Sequence, residues 1–318
     1  MKSLFVSLVA IVLFATMGNT AIAQSEFDGF ALYNELNRNT TYLIDKDGNI
    51  AHTWNCPTRG NYAVLLKPNG NIMRGANPGD NDLNGAAVGG LVQELDSNAN
   101  VVWEFRYSNE DHVQHHDITL HPNGNVFLTA WEVKNSTDLD SMGYTGTNST
   151  RWPTHIVEVQ QNGTGGQIVW EWHIWDHMVQ DVDTGKPNYG VIGDHPELLN
   201  INVTTSGGGG GPGGRGGDWF HVNGIDYNAE LDQIAFTSRY LSEIFIIDHS
   251  TTREESVRHE GGNSGKGGDI LYRWGNPMAY NQGTIANKKL FFQHDVHWIN
   301  PKAEEGDKYF GRIALFNN

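Results

Sequence analysis

The sequence predicts an all-β protein and, within that class, a β-propeller. Two observations carry the prediction. Short runs rich in Val, Ile, Tyr, Phe and Trp alternate with Gly, Asn and Asp turns, as in Thr41-Tyr42-Leu43-Ile44 before Asp45-Lys46-Asp47-Gly48-Asn49. No stretch keeps a helical period long enough to compete. The strands also recur as units. One half-unit is a strand, an Asp or Gln turn and a strand closing on tryptophan; it runs to Trp54, Trp103 and Trp170, and to Trp274 in a copy carrying an insertion. The other half-unit turns on Pro-Asn-Gly-Asn at 68–71 and 122–125, and in altered form at Tyr227 to Asp232. Four strands repeated every ~40–50 residues are the signature of propeller blades, and sandwiches lack such a repeat.

Taken in chain order, residues 1–23 read as an export signal. Lys2 supplies a positive start, Leu4 to Ala15 is almost wholly apolar, and Ala21-Ile22-Ala23 offers small residues for cleavage. The apolar run is shorter than the ~20 residues of a spanning helix. The mature chain, 24–318, reads as one propeller domain with about four blades visible and a strand still in progress at Gly311 to Asn318, as if the C-terminus were truncated. Two insertions lengthen the later units, Trp175 to Gly217 and Thr251 to Gly268. Both are expected as loops on a propeller face, their Gly-rich tracts as flexible linkers.

Composition limits the partners. Twenty-one Lys plus Arg against 37 Asp plus Glu give a formal net charge of −16, which argues against nucleic acid and anionic membrane. A local Arg and His cluster can still reverse the field in one pocket. Cys56 is the only cysteine, so neither an internal disulfide nor a thiolate metal cluster is available.

Three tryptophan-ending strands lead to a histidine expected to open the next strand. Trp103 leads to His116-Asp117-Ile118, Trp170 to His221-Val222-Asn223, and Trp274 to His294-Asp295-Val296. In a blade the first strand lies nearest the axis, so these imidazoles should meet at one rim. Hairpin geometry brings Arg239 beside His221, and Asn223 falls on the same side of its strand as His221. The first unit reaches Asn61-Tyr62 without a histidine, so a structural His is not needed in every blade. The bland readings are a blade-to-blade hydrogen-bond role for the histidines and core anchoring for the four tryptophans. His112 and His115 crowd His116, yet spacing alone is weak evidence for metal, and neither metal nor cofactor is expected. Asp45-Lys46-Asp47-Gly48 starts like a calcium loop but lacks the downstream Glu, so a hairpin turn is expected. Imidazoles with one Arg and no obligatory carboxylate suit a sulfate or phosphate group.

On Thr41-Tyr42-Leu43-Ile44-Asp45, His116-Asp117-Ile118, Asp218-Trp219-Phe220-His221-Val222-Asn223, Thr237-Ser238-Arg239, Tyr272-Arg273-Trp274-Gly275-Asn276-Pro277 and Gln293-His294-Asp295, the chain resembles the bacterial aryl-sulfate sulfotransferases. The resemblance implies a six-bladed propeller. It also implies sulfuryl transfer from a phenolic sulfate donor to a phenol acceptor through a sulfated histidine, without a nucleotide donor. By motif, His294 corresponds to the nucleophile, and His221 and Arg239 to the groups that hold the sulfuryl oxygens and assist proton transfer. His116 corresponds to the remaining active-site histidine, with His115 the alternative one residue away; Asn223 is a geometric addition. Against that resemblance, the chain is expected to leave no room for the N-terminal sandwich domain that some members have, and the C-terminal blades expected of six are not visible. A non-catalytic binding propeller and a sulfate-ester hydrolase remain as alternatives, and a homodimer stays open.

Overall fold

The computed structural model describes residues 29–203 and 217–318. The expected export signal and most of the first glycine tract lie outside the described residues. The rest is mostly strand and turn, arranged as five antiparallel sheets that follow one another along the chain, with two small two-stranded pairs beside them, Lys134–Asn135 with Thr150–Arg151 and Met178–Val179 with Leu199–Asn200. The first contains Phe30–Asn34, Thr40–Asp45 and Ile50–Asn55. The second contains Arg59–Leu66, Ile72–Asn77, Leu91–Leu95 and Val101–Arg106. The third contains His112–Leu120, Val126–Glu132, Thr154–Asn162 and Gly165–His173. The fourth contains Val222–Asn228, Gln233–Ser238, Glu243–Asp248 and Tyr272–Trp274. The fifth contains His294–Trp298 and Ile313–Phe316. In each four-stranded sheet the strands lie side by side in chain order, the meander of a propeller blade.

The first strands of the second to fifth sheets pack on one another in succession, and side chains tie each to the next. Asn61 Nδ2 donates to Gln114 Oε1 (3.4 Å), the backbone N–H of Ile225 donates to Asp117 Oδ2 (3.0 Å), and that of Trp298 donates to Asp226 Oδ2 (2.8 Å). Blade-to-blade bonding therefore falls to amide and carboxylate side chains, not to the repeated histidines alone. Buried aromatic and aliphatic side chains fill the space between sheets. Between the third and fourth these include Phe127, Trp170, Trp172, Phe236 and Phe245.

The repeated turn has a structural cause. Asn71 Nδ2 donates to Glu94 Oε1 (2.7 Å) and Asn125 Nδ2 to Glu158 Oε1 (2.6 Å), so the last Asn of each Pro-Asn-Gly-Asn turn clasps a Glu two strands on. Gly70 and Gly124 take φ of 85° and 97°, which a Cβ disfavours. The tryptophans also bridge sheets. Nε1 of Trp54 donates to Asp96 O (3.0 Å), that of Trp103 to Gly165 O (2.7 Å), and that of Trp170 to Thr251 Oγ1 (3.1 Å). Each is buried. Trp274 breaks the expectation: it is 43% exposed, because the two-stranded fifth sheet offers it no comparable turn.

The insertions also depart from expectation. Residues 251–268 are a folded loop, not a linker. Gly267 N–H bonds Gly261 O (2.9 Å), Ser264 N–H bonds Asp248 Oδ2 (2.8 Å), and Arg253 and Ser256 fasten the loop to Glu171 of the third sheet. An excursion between Val126–Glu132 and Thr154–Asn162, not anticipated from the sequence, carries the short helix Ser136–Ser141, capped by Asn135. Asp45 forms the expected hairpin turn, its Oδ1 accepting the N–H groups of Asp47 and Asn49 (2.9 and 2.8 Å).

Candidate active site

Each first strand of the second to fifth sheets is interrupted by a bulge near one end: between Gly60 and Val64, Gln114 and Ile118, Val222 and Gly224, and His294 and His297. A bulge re-aims side chains off the regular alternation. His116 lies within one such bulge and His221 just ahead of another, with φ of 49° and 50°, a left-handed conformation that costs a non-glycine residue energy and gathers at functional sites. His221 directly precedes its strand and His294 opens its own. His116 does not open one: it lies within His112–Leu120, four residues beyond His112.

These bulges surround one cavity of about 760 Å³ lined by His116, His221, Asn223, Arg239 and His294. The five side chains singled out in the sequence therefore share one wall. The hairpin expected to bring Arg239 to His221 is present, the Arg239 N–H donating to the His221 carbonyl (3.0 Å). The guanidinium is half-buried, lies over the rings of Phe292 (4.8 Å) and Tyr240 (5.7 Å), and has no carboxylate partner among the described residues. Asn223 Nδ2 donates to Gln293 O (2.9 Å), which leaves Oδ1 buried without a partner.

Behind the cavity wall the imidazoles form a chain. Asp218 Oδ2 lies 2.6 Å from His221 Nδ1, and His221 Nε2 lies 3.2 Å from His116 Nε2. His116 Nδ1 is 2.8 Å from His115 Nδ1, and His115 Nε2 is 3.3 Å from Thr154 Oγ1. A carboxylate only accepts, so His221 carries its proton on Nδ1. With one proton per ring, His116 then donates from Nε2, His115 from Nδ1, and the Thr154 hydroxyl closes the chain. Burial, with His221 beside it, holds His116 well below the ordinary histidine range. Burial pushes His115 down to about 3. Burial, Arg239 and His221 lower His294. Asp218 is held below the usual carboxylate range: burial opposes this, but the hydrogen bonds from His221 and Trp131 and the charge of the neighbouring imidazoles together outweigh it.

The expectation of a site without a carboxylate is corrected here. Asp218 orients His221, and Asp117, Asp226 and Asp295 line the same cavity. Burial pushes Asp117 up to about 7 against the backbone N–H groups it accepts. Asp218 follows the first insertion, outside the repeat; its signals were its place in the motif Asp218 to Asn223 that carries the family resemblance and its position three residues before His221. Trp131, whose Nε1 donates to Asp218 Oδ1 (3.1 Å) and whose ring stacks on His115, is a further support. His112 takes no part: it stacks on Tyr107 with ring centroids 4.0 Å apart. The described groups with metal-ligand spacing are elsewhere, at Glu132/His155/His173 and His177/His259/Asp269.

A family model described as Arylsulfotransferase (ASST) matches residues 19–318. The chain belongs to the arylsulfotransferase (ASST) family. This is a family of sulfotransferase enzymes, which implies a small-molecule donor and acceptor. No curated protein matches the chain. Among solved structures it is similar to the hydrazine synthase of Kuenenia stuttgartiensis at 10% identity and a TM-score of 0.43, over 90% of this chain and 68% of that one. It is also similar to the Dos1 propeller at 12% identity and a TM-score of 0.29, over 68% of this chain and 37% of that one. No described helix is long and apolar enough to cross a membrane.

Proposed function

We infer that this chain is an exported aryl sulfotransferase, periplasmic or secreted, working by a ping-pong mechanism through a sulfohistidine at His294. The carrying observation is a half-buried guanidinium, without a carboxylate partner among the described residues, facing the same cavity as three imidazoles from different sheets. An arginine fork suits a sulfuryl group with several oxygens. The cavity also has an apolar side, with Leu36, Tyr62 and Leu65, that suits an aryl ring.

In the first half-reaction a ring nitrogen of His294 attacks sulfur. An N–S bond forms and the bond from sulfur to the aryl oxygen breaks. Arg239 holds the non-bridging oxygens as charge shifts onto the leaving phenoxide. Attack leaves a positive charge on the sulfated ring, whose other nitrogen gives up its proton; the His221–His116 pair, held by the Asp218 carboxylate, relays that proton to the phenoxide. In the second half an acceptor phenol returns that proton and takes the sulfuryl group, freeing His294. Protons and bonds balance over the cycle, and no nucleotide donor enters.

The test is incubation with 4-nitrophenyl sulfate, with and without a phenol acceptor. Release of 4-nitrophenol that depends on the acceptor, with the sulfated acceptor recovered, is expected. Acceptor-independent release would make the protein a hydrolase, and no release would make it a binding propeller.

A further inference from the structure

The second insertion meets the end of the third sheet at a cluster separate from the cavity. His177 ends the short turn Ile174–His177, which follows the strand Gly165–His173; His259 and Asp269 belong to the insertion and the residues just after it. One oxygen of Asp269 is approached by two ring nitrogens, His177 Nδ1 at 3.0 Å and His259 Nδ1 at 2.7 Å. His177 Nε2 lies 2.8 Å from the carbonyl oxygen of Ser256. A carbonyl only accepts, so Nε2 carries a proton, and in a singly protonated ring Nδ1 then turns a lone pair toward a carboxylate oxygen. His177 has no exposed surface. Two acceptors facing each other in a buried place repel unless positive charge lies between them. An imidazole N–H on a backbone carbonyl is also the arrangement that fixes the tautomer of a metal-ligating histidine.

The other metal-spaced group differs. At Glu132 the Lys134 ammonium stands 2.7 Å away. Burial opposes the charge, but hydrogen bonds from the ring to Glu132 and Glu171 push His173 up to about 9, so positive charge is already in place. The ion pairs of Asp269 among the described residues are with His177 and His259 only.

We propose that His177, His259 and Asp269 form a site for a zinc-type divalent metal ion, which clamps the insertion onto the third sheet. Two imidazoles and a carboxylate with an open fourth position match zinc ligation. Ligand atoms of a tetrahedral zinc centre with bonds of ~2.0–2.1 Å stand about 3.3 Å apart. The observed 2.7 and 3.0 Å separations therefore need to open by little. The His259 side chain is 63% exposed, so an ion enters from solvent and is held from inside by His177.

The test strips the whole chain with a chelator, dialyses it against zinc chloride and counts retained metal by mass spectrometry, with thermal unfolding alongside. About one zinc per chain and a raised Tm are expected. His259→Ala removes an exposed side chain and should lose both the zinc and the Tm gain while still folding. His173→Gln, in the other cluster, should keep both. Zinc-free wild-type protein, a His259→Ala variant that keeps its metal, or loss of the metal in His173→Gln instead would each overturn the site.

Discussion

At the cavity, burial and neighbouring positive groups keep His116 and His294 in the neutral form. At the turn end of the fourth sheet, His249 is equally enclosed yet is held as a cation. Its Nδ1 lies 2.6 Å from Asp232 Oδ1 and its Nε2 3.2 Å from Glu158 Oε2. Burial opposes the charge, but these hydrogen bonds outweigh it and push His249 up to about 9. Burial alone decides little about an imidazole; what decides is whether the surrounding partners are carboxylates or cations. A neutral ring can attack or exchange a proton, whereas one locked between two carboxylates serves as a rivet.

The largest expected effect comes from removing the neutral ring at the cavity. His294→Ala should lower transfer more than about 10³-fold, since no other group supplies the nucleophile. Circular dichroism should stay unchanged, because the half-buried ring contributes little packing. A variant that kept most of its turnover would take the nucleophile role from His294. Next comes the anion-holding fork. Arg239→Lys should cost about 10²–10³ in kcat, because a point charge cannot make the bidentate contact. Near-normal turnover would make Arg239 a packing residue over Phe292 and Tyr240.

The fold was legible because its repeats are physical. The Asn of each turn must reach a Glu, and each inner tryptophan must reach the turn of the next sheet. The cavity histidines were legible for the same reason, since the repeat places their strands around one axis. Asp218 was not, because it comes from an insertion outside the repeat. Nor could alternation predict the bulges, with their left-handed His116 and His221. Trp274 failed as a core anchor because its burial depends on a neighbouring sheet, not on its own strand.

The comparison sharpens with pH. The His294 value is lowered, so its nucleophilic neutral form persists below the ordinary histidine value of about 6.5. The acid limb of kcat/KM should therefore lie below 6.5, read by stopped assays across pH 4 to 8 with donor far under saturation. A limb above 6.5 would mean that the ring at the cavity is stabilised as a cation, like His249.

The smallest effect falls on stability, at the other histidine. The folded pKa of His249, about 9, lies above its ordinary value. Its contribution is therefore fully present below about 6.5 and lost as pH rises through about 9. Asp232 and Glu158 act oppositely: burial raises both, but the bonds from His249, with those from Tyr227 and Asn125, together depress them, so their contribution is present at neutral pH and lost only as acid protonates them. His249→Gln should thus cost up to about 3 kcal/mol near pH 7, with the gap to wild type narrowing at pH values above 9. Urea midpoints at pH 7 and 10 measure it. A gap that stays the same across that interval would mean that His249 acts through packing against Phe127 and Trp170, whose rings meet it edge-on, and not through its charge.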